Sequence, residues 1–194
     1  AKLWSLEKPR LYECKVTYGQ DEACERFGVR TIAWSSNGFF INGKSVKLRG
    51  GCVHHDNGIL GGAAFKEAEY RKVRILKEQG FNAIRSAHNP CSKFMLDACD
   101  ELGMCLLDEA FDMWYTHKSP HDNATWFDES GMDDILSMVK RDINHPCVIG
   151  YSLVNEPSEL SSDRGKEVLS KAYDSIKEID PVRPVTAGVN LILA

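Results

Sequence analysis

The chain has 194 residues, 43% hydrophobic and 27% charged, the balance of a protein able to bury a sizeable core. Lys and Arg total 24 against 28 Asp and Glu, a formal net charge of -4, so no basic footprint points to nucleic acid or an anionic membrane. No apolar run approaches the roughly 20 residues that span a bilayer. The first residues, Ala1-Lys-Leu-Trp-Ser-Leu-Glu7, lack the charged-then-apolar pattern of a signal peptide. Seven cysteines, an odd number without any Cys-x-x-Cys spacing, suggest neither a disulfide framework nor a zinc knuckle. Free thiols of this kind point to a reducing cytoplasm.

In Leu11–Tyr18, Tyr12, Cys14, Val16 and Tyr18 alternate with Glu13, Lys15 and Thr17, which predicts a strand with one wet face. A turn at Gly19–Glu22 leads to a second extended stretch near Phe27–Ile32. Asn42-Gly43, set between strand formers over Phe39–Val46, predicts a hairpin. A sandwich needs about seven strands. Residues 1–36 therefore read as the tail end of a β-domain whose beginning is missing, and residues 37–194 as a separate unit.

From Val46 the pattern becomes alternating short strands and helices. Strands are predicted at Val46–Gly51, Phe81–Arg85, Met104–Leu107, Val148–Val154 and from Pro184. Between them lie helices at Lys66–Gln79, after a Ser92 cap up to Gly103, after a Ser130/Asp133 capping box, and at Glu167–Ile179. Such alternation gives an α/β fold with a parallel sheet. The barrel is favoured over a doubly wound sheet, because no Gly-x-Gly-x-x-Gly follows the first strand and polar residues crowd the strands' C-terminal ends. A full barrel takes about 250 residues, so the expectation is a partial (β/α)8 TIM barrel. Its open strand edges imply a homo-oligomer or association through the exposed half-barrel.

The strand ends carry His54, His55 and Asp56, then Arg85, His88 and Asn89, then Asp108, Glu109 and Asp112, then Asn155 and Glu156. Charges there are costly unless paired or used, and four successive clusters on one rim read as a site. Asn155-Glu156-Pro157 directly after a buried strand is the sharpest signal. A carboxyl at a pocket rim suits glycosidic acid/base catalysis, and an adjacent amide suits a sugar 2-hydroxyl.

Arg141–Glu156 resembles the acid/base signature of glycoside hydrolase family 2, the β-galactosidase, β-glucuronidase and β-mannosidase group. Asn82–Pro90 is similar to its second signature, Phe39–Gly50 to the entry into its barrel, and Arg26–Arg30 to the end of its immunoglobulin-like domain. The matches are collinear and cover nearly the whole chain. The resemblance implies a retaining exo-β-glycosidase, foremost a β-galactosidase, acting by double displacement without a cofactor on a carbohydrate substrate. Glu156 would be the acid/base and Asn155 the 2-hydroxyl ligand. Arg85 and His88 would line the terminal-sugar subsite, Arg85 by orienting carboxylates, and His55 and Asp56 would bind hydroxyls. Asp112 and Trp114 join the substrate-binding set, Trp114 as a stacking platform. The nucleophilic Glu would lie on a later strand, leaving this polypeptide inactive alone. Some β-galactosidases carry Asp-Glu-Ala-Asn-x-Glu-x-His after the third strand, for magnesium. Here Met113 and Tyr115 replace the ligands, so no metal is expected.

Three other readings compete. His54, His55, Asp56 and His88 could suggest a metallohydrolase, but adjacent residues on a strand face opposite ways and cannot share one metal. Asp108 and Glu109 could form a buried ion-pair network with Arg85 instead of acting on substrate. A carbohydrate-binding pseudoenzyme would keep the pocket, yet has no need of Glu156.

Overall fold

The computed structural model describes residues 1–189. β1 (Tyr12–Tyr18) and β2 (Asp21–Phe27) form an isolated antiparallel ribbon. The alternation in β1 predicts one covered face, but both faces of a two-stranded ribbon are open here, and Val16 and Tyr18 are 57% and 86% exposed. The stretch expected to be extended over Phe27–Ile32 is instead a connection, since β2 ends at Phe27 and β3 (Ile32–Ser35) begins at Ile32. β3, β4 (Gly38–Ile41) and β5 (Lys44–Val46) make a small meander. Its second turn is Asn42-Gly43 with φ of 52° and 75°, the left-handed pair that a tight hairpin demands.

Beyond it, β6 (Gly50–His54), β7 (Ala83–Ala87), β8 (Cys105–Glu109), β9 (Val148–Asn155) and β10 (Val185–Gly188) form a parallel five-stranded sheet in strictly sequential order. A doubly wound sheet reverses direction at a switch point; this one never does, which is the wall of a TIM barrel. The helices between the strands are α1 (Lys66–Glu78), α2 (Lys93–Leu102), α3 (Phe127–Asp142) and α4 (Asp163–Ile179). β9 is buried along all eight residues, as a strand covered on both faces must be. Behind the sheet, Val73, Leu96, Cys99, Ile135, Val139, Ala172 and Ile176 close the helix-to-sheet core. Among the described residues no helix is long and apolar enough to cross a membrane.

Several boundaries differ from the sequence pattern, each for a local reason. Residues 47–49 are not strand: the Asn82 side chain accepts from Arg49 N at 2.6 Å and donates to Lys47 O at 2.9 Å, and sheet pairing starts only at Gly50. α3 begins at Phe127, not after a Ser130/Asp133 box, because a 3-10 turn at Asn123–Trp126 feeds straight into it. Ser130 Oγ bonds Asp134 Oδ2 within the helix. α4 starts at Asp163, capped by Ser162 Oγ accepting from Gly165 N at 3.0 Å. The predicted Ser92 cap is present, accepting from Met95 N at 3.0 Å, with left-handed Gly103 at the other end of α2.

The N-terminal segment is sewn to the sheet's lower end. Trp4 is fully buried and its Nε1 donates to Asp100 O at 2.8 Å. Arg30 donates to Pro146 O and Val148 O, and Arg26 pairs with Asp97 and Glu101 on α2. All seven cysteines are free, four of them buried.

Candidate active site

Glu109 ends β8 and has no exposed surface. Both Arg85 Nε and Nη2, from β7, donate to its Oε2, at 3.0 and 2.6 Å. Ser152 Oγ, across the β8–β9 register, donates to the same oxygen. His88 Nδ1 lies 2.7 Å from Oε1. With the Nδ1 proton spent there, His88 offers Nε2 outward. Burial pulls the Arg85 pKa down, but hydrogen bonds and charge from Glu109 outweigh it, and the net direction is upward. A buried carboxyl thus fixes a guanidinium and an imidazole that both reach the rim.

The same Arg85 Nη2 donates to Asn155 Oδ1 at 3.0 Å, and Asn155 Nδ2 donates to Asp112 Oδ1 at 2.9 Å. A donor on one side and an acceptor on the other assign the amide's orientation and leave one Nδ2 proton free. Lys118, from the loop between β8 and α3, donates to Asp112 Oδ1 at 2.9 Å. Burial raises the Asp112 pKa, but hydrogen bonds from Lys118 and Asn155 outweigh it and hold the carboxyl below its ordinary value. Glu156 follows at once, exposed, with φ of 47°. Arg85, His88, Asp112 and Asn155 therefore form one hydrogen-bonded chain at the C-terminal ends of β7, β8 and β9, with Glu156 at its margin.

The remaining expected site residues stand apart from this chain. His55 Nε2 contacts Asn89 O at 3.0 Å, and Asp56 Oδ1 accepts from Gly58 N at 2.7 Å, so each braces loop backbone beside the rim. It is His54 whose ring meets His88, edge to face at 5.1 Å. Trp114 is corrected outright. It has no exposed surface and stacks on Phe127 at 6.0 Å, so it anchors the long loop from below and offers no face to a sugar. Asp108 and Glu109 do not share a network: Glu109 takes Arg85, whereas Asp108 points to the helix side and takes Arg141 Nη2 at 2.7 Å. Among the described residues no group of three or more His, Cys, Asp or Glu is arranged to hold a metal.

Sequence reasoning missed Ser152. It sits inside an apolar strand, and only its register opposite Glu109 marks it. Lys118 is the second such residue: nothing in its loop marks it, and the structure ties it to Asp112 and Asn155.

A barrel wall with a polar chain along its C-terminal rim is the architecture of the active face of a TIM barrel. The family model described as "Glycosyl hydrolases family 2, TIM barrel domain" matches residues 32–192, and the chain belongs to this family. Beta-galactosidase BoGH2A of Bacteroides ovatus is 36% identical over 97% of this chain and 27% of its own length. A putative beta-glucuronidase of Formosa agariphila is 40% identical over 96% of this chain and 18% of its own length. The crystal structure of a family 2 member from Bacteroides cellulosilyticus superposes with a TM-score of 0.95 at 46% identity, covering 100% of this chain and 26% of that one. The chain thus spans 18–27% of the length of these relatives.

Proposed function

We propose that this chain carries the acid/base half of a retaining exo-β-glycosidase acting on terminal β-galactosides. The observation that carries the reading is the exposed Glu156 beside an Asn155 whose amide is held by Arg85 and Asp112. In the first displacement, a carboxylate outside this chain attacks the anomeric carbon while Glu156 gives its proton to the departing glycosidic oxygen. In the second, Glu156 takes a proton from water as that water displaces the carboxylate. The free Nδ2 proton of Asn155 donates to the sugar 2-hydroxyl, and His88 Nε2 and Arg85 line the terminal-sugar subsite. His55 and Asp56 hold the loop that borders it. The mechanism requires that second carboxylate about 5 Å from Glu156. The edge strands β6 and β10 are where the rest of the barrel, or a second copy, would pair.

The galactoside reading rests on the relatives named beta-galactosidase; the Formosa relative supports a β-glucuronide as the second reading. The test is a panel of aryl β-glycosides given to the full-length parent, with Glu156→Gln beside it. Expected is turnover of galactosides, with a loss in the variant on the order of 10²–10⁴-fold for poor leaving groups and little for dinitrophenyl. Equal loss for all leaving groups removes Glu156 from the acid role. Silence of the folded wild type on every sugar favours a carbohydrate-binding pseudoenzyme.

A further inference from the structure

We propose that Lys118 is a positioning residue for the acid/base Glu156, an inference that rests on the acid/base assignment above. Lys118 Nζ donates to Asp112 O at 2.6 Å, to Asp112 Oδ1 at 2.9 Å and to Asn155 O at 2.7 Å. Three acceptors consume the three protons of an ammonium. Asn155 O is the carbonyl of the peptide bond that leads into Glu156. The N–H of that same peptide bond donates to Gly188 O on β10, at 2.6 Å. The Asn155–Glu156 peptide plane is therefore gripped at both ends, by a loop lysine on one side and a neighbouring strand on the other.

The grip has a task. Among the described residues Glu156 is one of two non-glycine residues with positive φ, at 47°. An L-residue leaves that basin unless its surroundings over-determine it. Rotation of this peptide plane would swing the Glu156 carboxyl away from the glycosidic oxygen. Lys118 also clamps Asp112, which in turn holds the Asn155 amide. One cation thus sets both the backbone of the acid/base residue and the side chain beside it. The strand supplies its own half of the grip through β10, but the carbonyl half comes from a loop residue 37 positions earlier in the chain.

The experiment uses the full-length parent enzyme, with Lys118→Met and Lys118→Arg assayed on phenyl and dinitrophenyl β-galactosides. The loss is read in kcat/KM, which reports the first displacement. In Lys118→Met it is expected to be about 10- to 100-fold on the phenyl glycoside, as for a misplaced catalytic group, and near nil on the dinitrophenyl glycoside, whose leaving group needs no proton. Lys118→Arg, which keeps donors toward the carbonyl, is expected to recover part of the phenyl rate. A thermal melt of each variant separates folding from positioning. Equal loss on both substrates, or unchanged kinetics in a folded Lys118→Met whose Glu156→Gln counterpart shows the leaving-group signature, overturns this inference alone. A parent in which Glu156→Gln itself shows no such signature overturns the acid/base assignment and this inference with it.

Discussion

The two ends of the same parallel sheet are both built from arginines and carboxylates, yet they are wired to opposite purposes. At the lower end Arg183 donates to Val148 O, Ile143 O, His145 O and Asp180 Oδ2, while Tyr151 donates to Asp180. Arg30 donates to Pro146 O and to the same Val148 O. His145 is pinned to Asp100 at 2.6 Å. These donors go into backbone carbonyls and buried carboxylates that would otherwise be orphaned, and the result is a seal. At the upper end the arginine meets only side chains, and the chain of bonds ends at groups still able to act: His88 Nε2, one amide proton of Asn155, and Glu156. β9 joins the two, with Val148 at the sealed end and Asn155 at the open one. A cluster of charges at strand ends is thus no sign of chemistry in itself. What marks a site is a network with donors and acceptors left over.

That contrast is best broken by changing one buried charge at each end. Glu109→Gln leaves the Arg85 guanidinium with a neutral partner and removes the anchor of His88 and Ser152. Breaking a buried pair costs about 3–5 kcal/mol, and misplacing groups on the rim costs about 100-fold in kcat/KM. Both losses are expected, read by thermal melting and by galactoside hydrolysis in the full-length parent. Arg183→Met takes the ion-pair partner from Asp180 and a donor from each of Ile143 O and His145 O, while Arg30 still holds Val148 O and Tyr151 still holds Asp180, with a stability loss also of about 3–5 kcal/mol. The surviving folded fraction should keep its kcat/KM. A drop in kcat/KM beyond the folded fraction would show that the seal also tunes the rim, and the two ends would no longer be separable.

The same contrast explains what the sequence could and could not disclose. β8 and β9 were legible because strands buried on both faces read as short apolar runs, and α2 because Ser92 and Gly103 punctuate it at both ends. The start of α4 was hidden by Gly165, which looks like a breaker. In the structure a Cβ there would stand 1.9 Å from Glu159 O, so the first turn can pack only with glycine. On the rim, the alternation of a strand already separates His54 from His55, and the same rule splits Asp108 from Glu109. Trp114 failed as a sugar platform because aromatic composition says nothing about which way a loop turns. It is buried against Phe127, which in turn meets Phe111 edge to face at 5.4 Å. The Lys118 clamp was out of reach because it joins the loop after β8 to the end of β9, 37 positions later, and no local spacing encodes that closure.

Between the two ends lies a third carboxylate cluster, on the helix side of β8, and it sharpens the comparison with a smaller effect. Asp142 accepts from Arg141 Nε at 2.6 Å, but its Oδ2 is buried without a partner. Burial, with Asp108 next to it, pushes its pKa from 3.8 up to about 8. The folded protein therefore holds a proton that the unfolded chain has released, over the window from about pH 4 to about pH 8. Stability must fall as pH rises through that window and level off above it, by at most about 1.4 kcal/mol per pH unit. Asp142→Asn cannot titrate and should lack this slope. Melting curves from pH 5 to 9 are expected to show the variant close to wild type at the acid end and more stable at the alkaline end. Parallel curves would mean that Arg141 keeps Asp142 charged after all. The cluster would then belong with the sealed end of the sheet, where every carboxylate is matched.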